Sequence, residues 1–204
     1  NNYSDNFYRP QDTLGWMFKY HINNENPIPN PISNVNDLLQ SSSNSIYFTL
    51  PVIIINDDNS ITFYNDGDGI LVEYMEEHKM YPPTLIFGSL LSGTNFDDNE
   101  AREWGGRNGY GAKLANIFGK RFEVETICHI NEKKFKQTFR NNMSERDKPK
   151  ITSCKSKPYT KITWLPDYER FGMGDLLNDD IKALVKKRVY DVAGVTDKDT
   201  KVYF

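Results

Sequence analysis

From Ile46 onward the apolar positions recur at regular spacings, and each spacing predicts an element. Ile46–Ile55 is a nearly continuous apolar run that reads as a buried strand. Asp57-Asp58-Asn59 reads as a turn, and Ser60–Asn65 as its hairpin partner with Ile61 and Phe63 on one face. Phe122, Val124, Thr126, Cys128 and Ile130 alternate along Phe122–Ile130, and Phe135 and Phe139 do so along Lys133–Arg140. The Asn131-Glu132 turn between these runs predicts a second hairpin. Thr160–Leu165 predicts a further strand, ended by Pro166. Three segments carry helical patterns: Thr84–Leu91, Gly109–Phe118, and Asp179–Val192. The last has Ile181, Leu184, Val185, Val189 and Val192 on one side and Gly194 in position to stop it. Hairpins mixed with helices predict an α+β fold, a mostly antiparallel sheet covered by helices on one face. No internal repeat is present.

The residues before Ile46 break this order. Asn, Ser and Pro crowd Asn23–Asn44, where Pro27, Pro29 and Pro31 remove backbone donors and disfavour helix. The chain therefore divides into an irregular arm, 1–45, and an ordered domain, 46–204. Its 204 residues suffice for one ordinary core. A net charge of −3 argues against a basic nucleic-acid module. Lys133-Lys134-Lys136 and Lys186-Lys187-Arg188 lie on the polar sides of amphipathic elements and read as solvated faces. No run is long enough to cross a bilayer, and no secretory leader pattern opens the chain. Two cysteines, Cys128 and Cys154, make no framework, and three scattered histidines make no zinc pattern. The composition is that of a soluble intracellular domain without a membrane partner.

Two glycine-bearing segments carry candidate chemistry. Asn65-Asp66-Gly67-Asp68-Gly69-Ile70 follows a strand directly, so its glycines permit positive φ and close approach of a ligand to the backbone. The Asn65 carboxamide at the strand end suits the edge of a flat heterocycle, although the same string also fits a plain turn. Gly105-Gly106-Arg107-Asn108-Gly109-Tyr110-Gly111-Ala112-Lys113 leads into the apolar segment Leu114–Phe118. Successive backbone amides before a helix make an anion cradle, and Lys113 adds a full charge. The string is neither a Walker A loop nor a dinucleotide fingerprint. Between the two, Ser89–Asp98 offers small hydroxyl and amide groups.

Taken together, Ser60–Ile70, Tyr81–Asp98, Gly105–Phe118, Phe135–Thr138, Tyr159–Asp167 and Lys186–Gly194 resemble the ATPase region of eukaryotic-type type IIA DNA topoisomerases, in wording, order and gaps. The string GGRNGYGAKL is highly specific, and the likeness runs from about Ile46 to Phe204. It implies the GHKL (Bergerat) α/β sandwich, which holds ATP between helices and sheet. By this resemblance Asn65 contacts adenine, Gly67 and Gly69 line the pocket, and Thr160 helps to close it. Gly93, Thr94 and Asn95 match ribose and phosphate contacts, Gly93 lacking one hydroxyl. Gly106, Arg107, Asn108, Gly109, Tyr110, Gly111, Ala112 and Lys113 match the phosphate-wrapping lid, with Lys113 near the terminal phosphates. The implied ligands are ATP and Mg²⁺. The implied setting is a homodimer of the full-length enzyme acting on duplex DNA, in the nucleus or in a virus and its host cytoplasm.

One departure bears on the chemistry. The family's first motif, a helix reading ExxxNAxD, supplies the water-activating Glu and the metal-binding Asn. No such string occurs here: Asn36 falls in the right window, but Ile32 stands where Glu belongs and prolines fill the stretch. The catalytic base and the metal ligand are therefore unassigned. The family's transducer and DNA-cleaving domains have no counterpart in these residues. Two functions follow: an ATP-operated gate of a type II topoisomerase, or a degenerate domain kept as a nucleotide-binding or dimerisation scaffold without hydrolysis.

Overall fold

The structure, a computed structural model, describes residues 52–90, 110–174, 177–195 and 201–204. Along the chain run β1 (Val52–Ile55), β2 (Ile61–Asn65), α1 (Pro82–Gly88) and α2 (Gly111–Ile117). Then come β3 (Gly119–Cys128), β4 (Lys133–Arg140), β5 (Glu145–Arg146), β6 (Lys150–Ser153), β7 (Tyr159–Pro166) and α3 (Asp179–Val195). The seven strands form one sheet in the order β1-β2-β7-β3-β4-β5, with β6 also paired to β4. Every pairing between these strands is antiparallel. The α+β reading with an antiparallel sheet is what the chain adopts.

Alternation decides which face is covered. Ile61 and Phe63 of β2, Ile162 and Trp164 of β7, Phe122 and Val124 of β3, and Phe135 and Phe139 of β4 are all almost completely buried on one face. The helices add Phe87 from α1, Ala112 and Ala115 from α2, and Val185, Val189 and Val192 from α3 to the same core. Aromatic pairs join the layers: Phe87 and Phe122 lie 5.9 Å apart, and Phe122 meets Phe139 edge-on at 6.4 Å. The opposite face is charged. There Glu125 accepts a hydrogen bond from the Tyr159 hydroxyl at 2.6 Å and pairs with Lys161 at 2.9 Å and Lys134 at 3.3 Å. Glu123 pairs with Arg121 and Lys136. Lys134 and Lys136 of β4 are thus paired within the sheet, and Lys187 and Arg188 of α3 both reach Asp191.

Element boundaries differ from expectation at several ends. The first strand is described from Val52, residues 46–51 lying outside the described set. The first helix begins earlier, at Pro82-Pro83, because proline suits the first helical positions where no intrahelical donor is needed. It stops at Gly88, whose missing Cβ lets the Phe139 ring approach to 2.7 Å of the place a Cβ would take. Gly194 does not end α3, which runs on to Val195. The short strands β5 and β6 were not predicted, their side chains being mostly exposed and polar.

Candidate functional site

The hairpin from β1 into β2 delivers Asn65 to the end of its strand, 1% exposed and paired in register with Thr160 of β7. Thr160 is in turn paired in register with Thr126 of β3. Asn65, Thr160 and Thr126 therefore form a polar row across three strands on the helix-covered face, where apolar residues fill the rest of the same rows. Buried polar groups at such positions carry a desolvation cost unless hydrogen-bonded. Thr126 is fully buried and bonded: its hydroxyl lies 2.9 Å from the Ile70 amide, 2.9 Å from the Tyr159 carbonyl and 3.1 Å from the Thr160 hydroxyl.

The glycine-bearing loop after Asn65 is lashed to the end of β3. Gly69 adopts φ +74°, the left-handed region that side chains avoid. A Cβ there would lie 1.9 Å from the Ile127 carbonyl oxygen, so only glycine fits. Gly67 is buried and does not take positive φ. Beyond Gly69 the Ile70 amide donates to Thr126, the His129 amide donates to the Asp68 carbonyl, and the Asn131 carboxamide donates to the Val72 carbonyl at 2.8 Å. Thr126, His129 and Asn131 were not singled out from the sequence. The only signal was a hydroxyl-bearing residue inside an otherwise apolar alternating row.

Helix α2 packs on α1, β3 and β7, on the side where the row lies. Asn116, completely buried, donates to the Phe87 carbonyl at 2.9 Å and so seals the end of α1 against α2. Tyr110 precedes the helix without capping it through its side chain. Lys113, in the first turn of α2, is 5% exposed, and burial pulls its ammonium from the ordinary 10.5 down to about 8. No ion pair to Lys113 is formed among the described residues. Burial without an ion-pair partner among the described residues disfavours the charged form. Of the other residues singled out, Gly111 and Ala112 lie in α2 with Ala112 buried, while Gly93, Thr94, Asn95, Gly106, Arg107, Asn108 and Gly109 lie outside the described residues. Asn36 does too.

A three-stranded polar row, a glycine loop hydrogen-bonded to the end of β3, and a buried lysine on a helix packed against the same antiparallel sheet make up the candidate site, on a fold of the helix-covered α/β sandwich class. Comparison with known proteins makes this specific. The chain is 50% identical over 155 residues to DNA topoisomerase 2 of Pisum sativum, covering 76% of the chain and 10% of that protein. It is 50% identical over 144 residues to DNA topoisomerase 2 of Acanthamoeba polyphaga mimivirus, covering 71% of the chain and 11% of that protein. Among solved structures, the ATPase region of Saccharomyces cerevisiae topoisomerase II superposes with a TM-score of 0.79 at 36% identity, covering 95% of this chain and 47% of that one. The ATPase and transducer domains of the Balamuthia mandrillaris enzyme do so equally well, covering 95% and 46%. No family model matches. These likenesses place the chain in the DNA topoisomerase II family, over its ATPase region. It spans about a tenth of the length of the curated relatives it matches.

Proposed function

We propose that this chain binds ATP as the nucleotide-operated part of a type II DNA topoisomerase, in which ATP closes the entrance gate for a duplex and hydrolysis resets it. The observation that carries the reading is Lys113: a buried ammonium with no ion-pair partner among the described residues, one turn into the helix that follows the glycine-rich string. In this reading Asn65, Gly67, Gly69 and Thr160 hold the adenine. Gly93, Thr94 and Asn95 contact ribose and phosphate. Gly106, Arg107, Asn108, Gly109, Tyr110, Gly111, Ala112 and Lys113 wrap the triphosphate, Lys113 meeting the terminal phosphates, where amides and one cation offset the negative charge. The division into an arm, 1–45, and a nucleotide domain, 46–204, belongs to the same proposal.

Mg²⁺ completes the proposal in the full-length enzyme, where it would offset phosphate charge. Among the described residues no three His, Cys, Asp or Glu side chains gather into a metal site. Homodimerisation, passage of duplex DNA, and a nuclear or viral setting are likewise proposed for the full-length protein; the relatives are eukaryotic and viral enzymes. The alternative, a degenerate nucleotide-binding or dimerisation scaffold without hydrolysis, is not favoured, because the solved neighbours are ATPase regions of topoisomerase II.

The test is a titration of the wild-type chain and Lys113→Ala with a non-hydrolysable ATP analogue and with ADP, each with and without Mg²⁺. Removing the ammonium should weaken the triphosphate by about 10- to 100-fold and the diphosphate by clearly less. Equal loss for both removes Lys113 from the terminal phosphates, and absence of binding to the wild type returns the scaffold reading.

A further inference from the structure

The margin of the sheet beyond β4 holds charge that the fold does not compensate. Between Lys133 and Lys157 the chain carries nine Lys and Arg against two Asp and Glu, although its net charge is −3. Lys134, Lys136, Arg140 and Lys155 are paired with carboxylates. Lys133, Arg146, Lys148, Lys150 and Lys157 are exposed and form no ion pair among the described residues. β5 and β6 lie end to end along the outer side of β4 and pair with no other strand among the described residues. The Cys154 amide donates to the Glu132 carbonyl at 2.7 Å, and this sets the alternation along β6. Lys150 and Thr152 turn their backbone groups to β4, while those of Ile151 and Ser153 turn outward. The Ile151 side chain packs, half-buried, against the core.

We propose that the outer edge of β6 is a docking site for an acidic, extended segment of a partner protein, which adds to the sheet as a further strand. Its backbone pairs with Ile151 and Ser153, its carboxylates lie among Lys148, Lys150 and Lys157, and apolar side chains on its other face continue the row of Ile151. Charge decides between occupants. A second copy would bring the same uncompensated cations edge to edge, and like charges oppose that pairing. A nucleic-acid backbone would meet the cations but brings no donors for the outward carbonyls. A peptide strand supplies donors and acceptors in the alternation that the edge presents. The outer chain takes three steps from Asp147 to Lys150 where β4 takes two, from Thr138 to Lys136. That bulge, Pro149 and the lysines discourage uncharged strands from an exposed edge, and they leave opposite charge as the condition for entry.

The test titrates the full chain with a synthetic peptide in which Glu and Val alternate, and follows affinity together with amide hydrogen exchange. Near saturation the Ile151 and Ser153 amides should exchange about tenfold more slowly, while Lys150 and Thr152, already bonded to β4, change less. Lys148→Glu, Lys150→Glu and Lys157→Glu combined in one chain should weaken binding about tenfold or more. Ser153→Pro removes one outward donor at an edge position that tolerates proline and should weaken it about fivefold. Of two peptides N-methylated at alternate residues, one set in each, only the one whose blocked amides meet the edge should lose affinity, by about tenfold. If both methylated peptides bind like the parent, or the Ile151 and Ser153 amides exchange as before, the contact is charge alone and strand addition is overturned. A short DNA duplex that binds more tightly than the peptide at the same salt, and loses that binding in the charge-reversed chain, assigns the margin to nucleic acid and equally overturns the inference. So does a peptide that fails to bind. Should Ser153→Pro not fold, the methylated peptides put the same question from the partner's side.

Discussion

Single residues carry the sharpest consequences. Gly69→Ala introduces a Cβ 1.9 Å from the Ile127 carbonyl and forces an L side chain into positive φ. Because the obstacle is backbone, relief requires moving the loop away from β3 and breaking the bond from Ile70 to Thr126. The substitution should cost about 3 kcal/mol or more of stability, seen as a lower denaturation midpoint, and should abolish nucleotide binding; a variant as stable as wild type contradicts the loop geometry. The glycine itself was legible as half of a strand-end pair. The reason for it was not, because the carbonyl it must clear lies 58 positions further along the chain, at Ile127. Lys113 was legible by its place after the glycine-rich string, but its burial depends on the packing of α2 against α1, β3 and β7 and could not be read from spacing. Thr126 was hidden for a different reason: threonine is an ordinary strand former, and within an alternating row its hydroxyl looks incidental.

Among the elements, the sheet owes its definition to two unlike faces. The long strands were readable because covered positions recur at every second residue, most clearly in β7, where Thr160, Ile162, Trp164 and Pro166 are buried and their neighbours are not. β5 and β6 were not, since two- and four-residue strands at the sheet's margin bury too little to leave a period. α3 overran its expected stop, Gly194 not taking the positive φ of a residue that ends a helix. The open face has its own anchor in Glu125, 7% exposed. Burial pushes its carboxyl up, yet the Tyr159 hydroxyl and the Lys161 and Lys134 ammonium groups outweigh this and hold it at about 2. A folded-state value below the ordinary 4.5 means that its contribution is complete above that value and is lost as pH falls toward 2. Glu125→Gln should therefore cost about 1–2 kcal/mol at neutral pH, after allowance for the partly exposed lysines, and should flatten the loss of stability on acidification. An unchanged acid limb in chemical denaturation contradicts the assignment. Because Tyr159 also accepts, through its carbonyl, the proton of Thr126, the same variant tests whether the charged face steadies the polar row behind it.

For the whole molecule, the fold brings to one sheet three things that lie apart in the sequence: a polar row at the strand ends, a loop bonded to the end of β3, and a buried lysine on a helix packed against β3 and β7. The fold is shared with the ATPase region of Saccharomyces cerevisiae topoisomerase II, and the family with topoisomerases of a plant, a protist and a virus. The functional reading depends on Lys113, which has no ion-pair partner among the described residues, meeting phosphate. Its ammonium titrates near 8 in the free protein, and an adjacent triphosphate must raise that value, so binding above neutrality takes up a proton. Calorimetric titration with a non-hydrolysable ATP analogue at about pH 8.5, in two buffers of different ionisation enthalpy, measures that uptake directly. The account predicts up to about three quarters of a proton absorbed per nucleotide bound, falling toward zero near neutral pH and absent in Lys113→Met. Binding with no proton uptake, or with uptake that Lys113→Met leaves unchanged, would contradict it.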